Sequence, residues 1–298
     1  MTPLERAPAA LARYAGRDEV WLKREDLHEL GAFKWRGAVP VVRQLAASGA
    51  EAVATASTGN HGAAVAWACR QAGLRAVVFV PPGANLQKLA LLRQLGAEVR
   101  VAGTDLDEAK DAARASGLPF FEDGAEPLQY EAYAAIGEEI LDQSPSEPAA
   151  VVIPIGNGAL AGGVGTAIGL RAPAVERVGV VAKEMPVMAA SWEAREPVEA
   201  DAGSTIADGM AVRVAIPFAV ERLRTAVDAI VRVSERSIAE ALVASHDADV
   251  TVEPSAAAAV AATQQLTIDG PVVLVVTGRN VDEAVLERAR REPGSFPD

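Results

Sequence analysis

From about residue 51 the chain alternates short apolar runs with segments of helical period, and this alternation restricts the fold more than any other feature. Residues 52–56 read as a buried strand, 63–72 as a helix, and 75–80 as a strand stopped by Pro81, Pro82 and Gly83. The helix expected at 85–95 spaces Leu86, Leu89, Leu92 and Leu95 along one side, with Gly96 just past its end. A strand at 98–102, a helix at 105–115 and a short strand at 118–121 complete the first block. Repeated β-α-β units imply a parallel sheet flanked by helices.

A longer helix over 126–143 and a connector over 143–148 lead to a second block. Its strands are expected at 150–155, 178–182, 229–233 and 272–276. Its helices follow Gly162 and Gly163, then lie near 185–195, 217–227, 237–245, 255–265 and 281–291, with a polar loop over 200–208. Before both blocks, 20–23 reads as a short strand. The expected fold class is α/β, with two doubly wound open-sheet lobes.

A second feature points to chemistry. The chain has five lysines among 28 basic residues, and one of them, Lys34, stands between Phe33 and Trp35. An amine among aromatic rings is partly desolvated and suited to attack an aldehyde, as a Schiff-base lysine does. The plainer alternative is a lysine with a buried stem whose ammonium reaches water or pairs with Glu25 or Asp26.

In open α/β sheets ligands bind beyond the carboxyl ends of strands, so the loops there carry the functional reading. Ser57, Thr58, Gly59, Asn60 and His61 enter the helix at 63–72, where backbone amides can receive a carboxylate or phosphate. An ordinary helix cap would need fewer polar groups than these five residues supply. Gly156, Asn157, Gly158, Ala159 and Leu160 form a glycine-rich turn between a strand and a helix. It lacks the Gly-Lys-Ser/Thr ending of a nucleotide loop and fits the dinucleotide fingerprint poorly, yet it suits a single phosphate. Thr277 ends an apolar strand, where it either meets a ring nitrogen or caps the last helix; taken alone, the cap is the simpler reading. An amine, an anion loop, a phosphate cradle and a hydroxyl together describe pyridoxal 5′-phosphate holding an amino acid.

The composition excludes other partners. A formal net charge of −12 and a pI near 4.9 disfavour nucleic acid and anionic membrane surfaces. The single cysteine, Cys69, points to a reducing compartment, and without a leader or spanning segment the protein is expected in the cytoplasm. His28, His61 and His246 lack metal-site spacing, so no metal is expected.

With these motifs in view, the chain resembles the β-family (fold type II) of pyridoxal-phosphate enzymes over nearly its whole length, and within it the threonine/serine dehydratase group that also contains serine racemase. The motifs are Trp-Leu-Lys-Arg-Glu-Asp-Leu, Ala-Phe-Lys-Trp-Arg-Gly-Ala around Lys34, Ser-Thr-Gly-Asn-His-Gly from Ser57, Gly-Asn-Gly-Ala-Leu from Gly156, Thr-Ile-Ala-Asp-Gly from Thr205 and Glu-Pro-Ser from Glu253. The resemblance implies that Lys34 is the cofactor-bearing lysine, Phe33 lies against the ring and Asn60 bonds the 3′-oxygen. It implies a substrate-carboxylate loop of Ser57, Thr58, Gly59, Asn60 and His61, a phosphate cradle of Gly156, Asn157, Gly158, Ala159 and Leu160, and a Thr277 hydroxyl facing the pyridine nitrogen. Residues 1–50 with 127–298 would form a large cofactor-binding domain, and 51–126 a small mobile domain carrying the carboxylate loop.

Departures narrow the activity. Ala32 replaces the family's serine, Asn157 and Ala159 interrupt its glycines, and Thr58 stands where the racemase has a second serine. Glu184 is followed by Met188 and Ala190 in place of cation ligands, and no regulatory domain is expected after Asp298. The implied reaction is α,β-elimination from a β-hydroxy amino acid such as threonine or serine, giving a 2-oxo acid and ammonia, with Lys34 taking the α-proton. The alternatives on the same scaffold are a β-replacement synthase and an amino-acid racemase; His61 favours the dehydratases. The side-chain pocket is expected near 129–133 and 205–213, with Tyr130 and Tyr133 as candidates or as core. A homodimer is compatible with the family.

Overall fold

The computed structural model describes residues 1–200 and 203–298. Asp201 and Ala202, within the polar loop expected at 200–208, lie outside the described residues. The strands are β1 (Leu4–Arg6), β2 (Val20–Arg24), β3 (Ala52–Ala56), β4 (Arg75–Val80), β5 (Glu98–Val101), β6 (Ala150–Pro154), β7 (Glu176–Ala182), β8 (Ala229–Val233) and β9 (Val272–Val276). The chain falls into two compact units, Met1–Phe33 with Tyr133–Asp298, and Lys34–Ala132.

The larger unit carries a six-stranded sheet in the order β1-β2-β9-β6-β7-β8. Only β1 runs antiparallel to its neighbour; the other pairings are parallel. The β6 and β9 strands are buried from end to end and are mostly valine and isoleucine or leucine, as a sheet covered on both faces requires. Helix Pro254–Ala262 lies against this centre, its nine residues all buried. Helix Ala159–Arg171 is likewise apolar around most of its circumference and packs on Pro217–Ala226.

A buried charged group anchors the first strand of this unit. Lys23 is fully buried on β2 and bonds Glu139 and the Thr2 carbonyl, each at 2.6 Å. The Thr2 hydroxyl donates to Glu25, and Gln143 donates to the Thr2 carbonyl at 3.0 Å. A charge taken out of water needs such partners, so the first residues of the chain complete the interior.

The smaller unit has three parallel strands, β3-β4-β5. Ala54, Ala56, Val77 and Phe79 pack with Ala109 and Ala113 of helix Leu106–Arg114. Helix Trp35–Ala47 packs on Asn60–Ala72 here, although the sequence reading assigned residues up to 50 to the large domain. The strand expected at 118–121 is reduced to a single bridge between Phe120 and Ala54, because Pro119 offers a carbonyl but no N–H to a ladder. Helix boundaries moved by a few residues at caps: Asn85 lies outside its helix and accepts from Gln87 N at 2.8 Å, and the helix expected at 255–265 begins at Pro254 and tightens after Ala262.

Candidate active site

Within the smaller unit, Lys34 stands immediately before helix Trp35–Ala47 with helical backbone angles, and its carbonyl takes Ala38 N–H at 3.1 Å. Its side chain is 16% exposed and its ammonium meets Asp123 at 2.6 Å. Glu25 and Asp26, the partners offered by the sequence, are engaged elsewhere: Asp26 takes two bonds from Arg24 at 2.8 Å, and Glu25 accepts from Thr2. Asp123 had no sequence signal beyond its position after the apolar Phe120-Phe121 pair.

Asp123 is built into its place. Gln129 Nε2 donates to it at 3.0 Å while Gln129 Oε1 takes the Gly124 N–H at 2.7 Å, and the Tyr130 hydroxyl donates to the Gly124 carbonyl at 2.8 Å. His61 Nδ1 lies 3.5 Å from Asp123, and its Nε2 lies 3.0 Å from the Thr55 hydroxyl. Burial alone would push the Asp123 carboxyl up; the neighbouring Lys34 ammonium, His61 and the bonds from Lys34 and Gln129 outweigh it and hold the group well below the usual carboxylate range. Burial also lowers His61, opposed by Asp123 and reinforced by Lys34, so the ring is neutral near pH 7.

Ser57, Thr58, Gly59 and Asn60 are half-buried at the start of helix Asn60–Ala72, whereas His61 is buried edge-on against Phe121 at 4.8 Å. Gly59 is the helix's N-cap and no side chain caps the first turn. The Ser57 hydroxyl instead accepts the Gly59 N–H at 3.1 Å. The leading amides of a helix lack partners within it, so this end could receive an anion, and no side-chain cap accounts for its polar residues.

The larger unit brings together groups that are distant in sequence. Gly158 has φ +94°, which a side chain disfavours, and it precedes helix Ala159–Arg171. A Cβ on Gly156 would strike the Gly209 carbonyl, and one on Gly209 would come within 2.7 Å of the Ser255 hydroxyl. The turn, the segment from Thr205 and the start of helix Pro254–Ala262 thus form one compact cradle. Ser255 is buried and its hydroxyl has no hydrogen-bond partner among the described residues. An orphaned hydroxyl beside a side-chain-free helix start fits a phosphate. Asn157 uses its own carboxamide oxygen to take the Ala159 N–H at 3.1 Å.

Thr277 is buried and donates its hydroxyl proton to Glu253 at 2.8 Å. The hydroxyl expected to face a ring nitrogen thus gives its proton to Glu253, and the cap alternative fails because Asp282 caps the last helix, Glu283–Arg291. The Thr277 carbonyl accepts the Phe33 N–H at 3.0 Å, and Phe33 lies edge-on to Tyr133 with ring centroids 5.0 Å apart. Tyr133 is fully buried and Tyr130 nearly so, which assigns both to packing.

Among the described residues no three His, Cys, Asp or Glu side chains are grouped to hold a metal, and no helix is long and apolar enough to cross a membrane.

Comparison with known proteins agrees with this chemistry. L-threonine ammonia-lyase of Thermotoga maritima is 34% identical over 278 residues, 91% of this chain and 69% of the relative. The processed form of threonine deaminase isoform 2 from Solanum lycopersicum superposes with TM-score 0.88 at 29% identity, covering 97% of this chain and 86% of that one. Maize serine racemase has the same TM-score at 24% identity over 99% and 92%, a likeness of fold. Residues 1–278 match the family model described as pyridoxal-phosphate dependent enzyme, and a match of that extent, over a chain whose loops present an amine, an anion site and a phosphate cradle, makes this protein a member of the fold type II pyridoxal-phosphate dependent enzymes.

Proposed function

We propose that the protein removes water and ammonia from a β-hydroxy amino acid such as threonine or serine, leaving a 2-oxo acid. The observation that carries this reading is the Lys34 amine, partly exposed and held at 2.6 Å by the half-buried Asp123 carboxylate, in a chain one-third identical to a threonine ammonia-lyase.

Pyridoxal 5′-phosphate, when bound, supplies the sink for the electron pair left at the substrate's α-carbon. Lys34 would anchor it and, as a free amine, would take the substrate's α-proton at Nζ. Phe33 would lie against its ring, Asn60 would serve its 3′-oxygen, and Thr277, whose hydroxyl proton goes to Glu253, would turn its oxygen toward the ring nitrogen. Gly156, Asn157, Gly158, Ala159 and Leu160 hold its phosphate, with the orphaned Ser255 hydroxyl as an added donor. Ser57, Thr58, Gly59 and Asn60 receive the substrate carboxylate at the uncapped helix start, and His61 supports that loop from beneath. Elimination expels the β-hydroxyl as water, and hydrolysis of the resulting enamine releases ammonia. The same reading places the enzyme in the reducing cytoplasm, without nucleic-acid or membrane partners, and as a homodimer.

The test is an absorbance spectrum at about 410–430 nm, the range expected of the cofactor bound to lysine, followed by separate additions of serine, threonine, 3-hydroxyaspartate and phenylserine with an oxo-acid assay. Oxo acid from one of them, absent in Lys34→Ala, supports the reading. A band that shifts without oxo acid moves the assignment to replacement or racemisation, and a colourless protein that cannot be reconstituted removes it.

A further inference from the structure

The reaction set out above uses Lys34 but leaves unexplained why a carboxylate is placed against it. Asp123 is no chance surface partner. Gln129, whose side chain is fully buried, grips both the carboxylate and the adjoining Gly124 amide, and Tyr130 fastens the Gly124 carbonyl. The buried His61 ring lies 3.5 Å from the carboxylate and is itself set by Thr55, whose hydroxyl also reaches the Phe121 carbonyl at 2.8 Å. Side chains from four stretches of the chain thus hold, directly or through a neighbour, the one carboxylate that meets the amine. Of the acids near it in sequence, Glu122 pairs with Arg114 at 3.0 Å.

We propose that Asp123 is the positioning residue of Lys34: it receives the lysine amine as an ammonium whenever the cofactor is not attached to it, and so fixes where Nζ waits and holds the proton that Nζ carries. Resting on Lys34 as the reactive amine, this gives the eliminating enzyme a defined place for the proton taken from the substrate. A rigid acceptor is suited to that task because a charge-assisted hydrogen bond is directional and loses little entropy when its acceptor is already fixed. His61 is neutral and cannot substitute as the counter-charge.

The experiment measures how fast Lys34 reacts in the full-length protein freed of cofactor, so that its result does not depend on which reaction is catalysed. Trace acetylation with acetic anhydride is read peptide by peptide by mass spectrometry, with the exposed Lys183 as internal reference. In Asp123→Ala and Asp123→Asn, Lys34 should react about tenfold faster relative to Lys183, the factor that loss of one charge-assisted hydrogen bond implies. Added formate should slow Lys34 again in Asp123→Ala and should not affect the wild type, a rescue that a merely structural residue would not show. Equal labelling in wild type and both variants would overturn the assignment. So would failure of both variants to fold, judged by circular dichroism, since Asp123 would then be structural. A failed oxo-acid assay with this labelling pattern intact would remove the proposed function and leave the Lys34–Asp123 assignment standing.

Discussion

The buried hydroxyl of Thr277 gives its proton to Glu253 across 2.8 Å, and the Glu253 N–H returns a bond to the neighbouring Gly278 carbonyl at 2.8 Å. The strand end and the helix start are thereby clasped side chain to side chain and backbone to backbone. Thr277→Val keeps the shape but leaves a buried carboxylate one donor short, which costs about 1–3 kcal/mol. Urea unfolding should show that loss, and Thr277→Ser should recover most of it.

The Gly156 position tolerates no side chain. Gly156→Ala drives a methyl group into the Gly209 carbonyl and forces the cradle apart, at an overpacking cost of about 1–3 kcal/mol. Equilibrium dialysis should find weaker retention of pyridoxal phosphate, while Gly294→Ala, where a Cβ meets nothing, leaves it unchanged.

Acid should weaken the fold in two separate windows. His61 is kept neutral by burial in the native state, whereas an unfolded histidine takes a proton below about pH 6.5. The unfolded chain then binds more protons, so stability falls as pH drops below that value. Asp123, held low in the native state, adds stability that is present above the unfolded carboxylate value of about 3.9 and is lost only as pH falls below it. Urea midpoints for wild type and His61→Gln between pH 7.5 and 5.5 should differ in slope, with the variant flatter; parallel slopes would reject this account.

Cys69 is buried within helix Asn60–Ala72, and burial pushes its thiol up to about 12. A thiol reagent at pH 8 should leave the native protein unmodified and report one thiol on unfolding, at the rate of unfolding. Rapid modification of the native protein would mean that this helix opens locally.

The architecture was legible because the strands of a sheet covered on both faces are uninterrupted apolar runs, as in Val272–Val276, and need no long-range information to be seen. The short segment at 118–121 misled because its apolar residues serve packing while Pro119 blocks a ladder. At the site, Lys34 stood out between two aromatic residues, Ser57, Gly156 and Thr277 at strand ends, and Glu253 and Ser255 only through the Glu-Pro-Ser motif of the resemblance. Asp123 and Gln129 did not stand out, since their importance lies in partners 89 and 6 residues away, which no local pattern encodes. The scarcity of lysine was itself an incomplete guide: Lys23 is as rare as Lys34, and its task is to fill the interior with Glu139 and Thr2.

The pairing of β2 with β9 has a consequence in time. Val20 lies opposite Val272, so on the ribosome the second strand of the sheet emerges roughly 250 residues before the partner that covers its edge. At 5–20 residues per second that interval is on the order of 10–50 s, during which the apolar residues of Val20–Arg24 have β1 as a companion but no central strand beside them. The contiguous unit Lys34–Ala132 meets no such delay and can close while synthesis continues. Newborn chains of this enzyme should accordingly depend on chaperones through their first strands, and a nascent chain stalled before residue 272 should be protease-resistant in 34–132 and sensitive near residue 20.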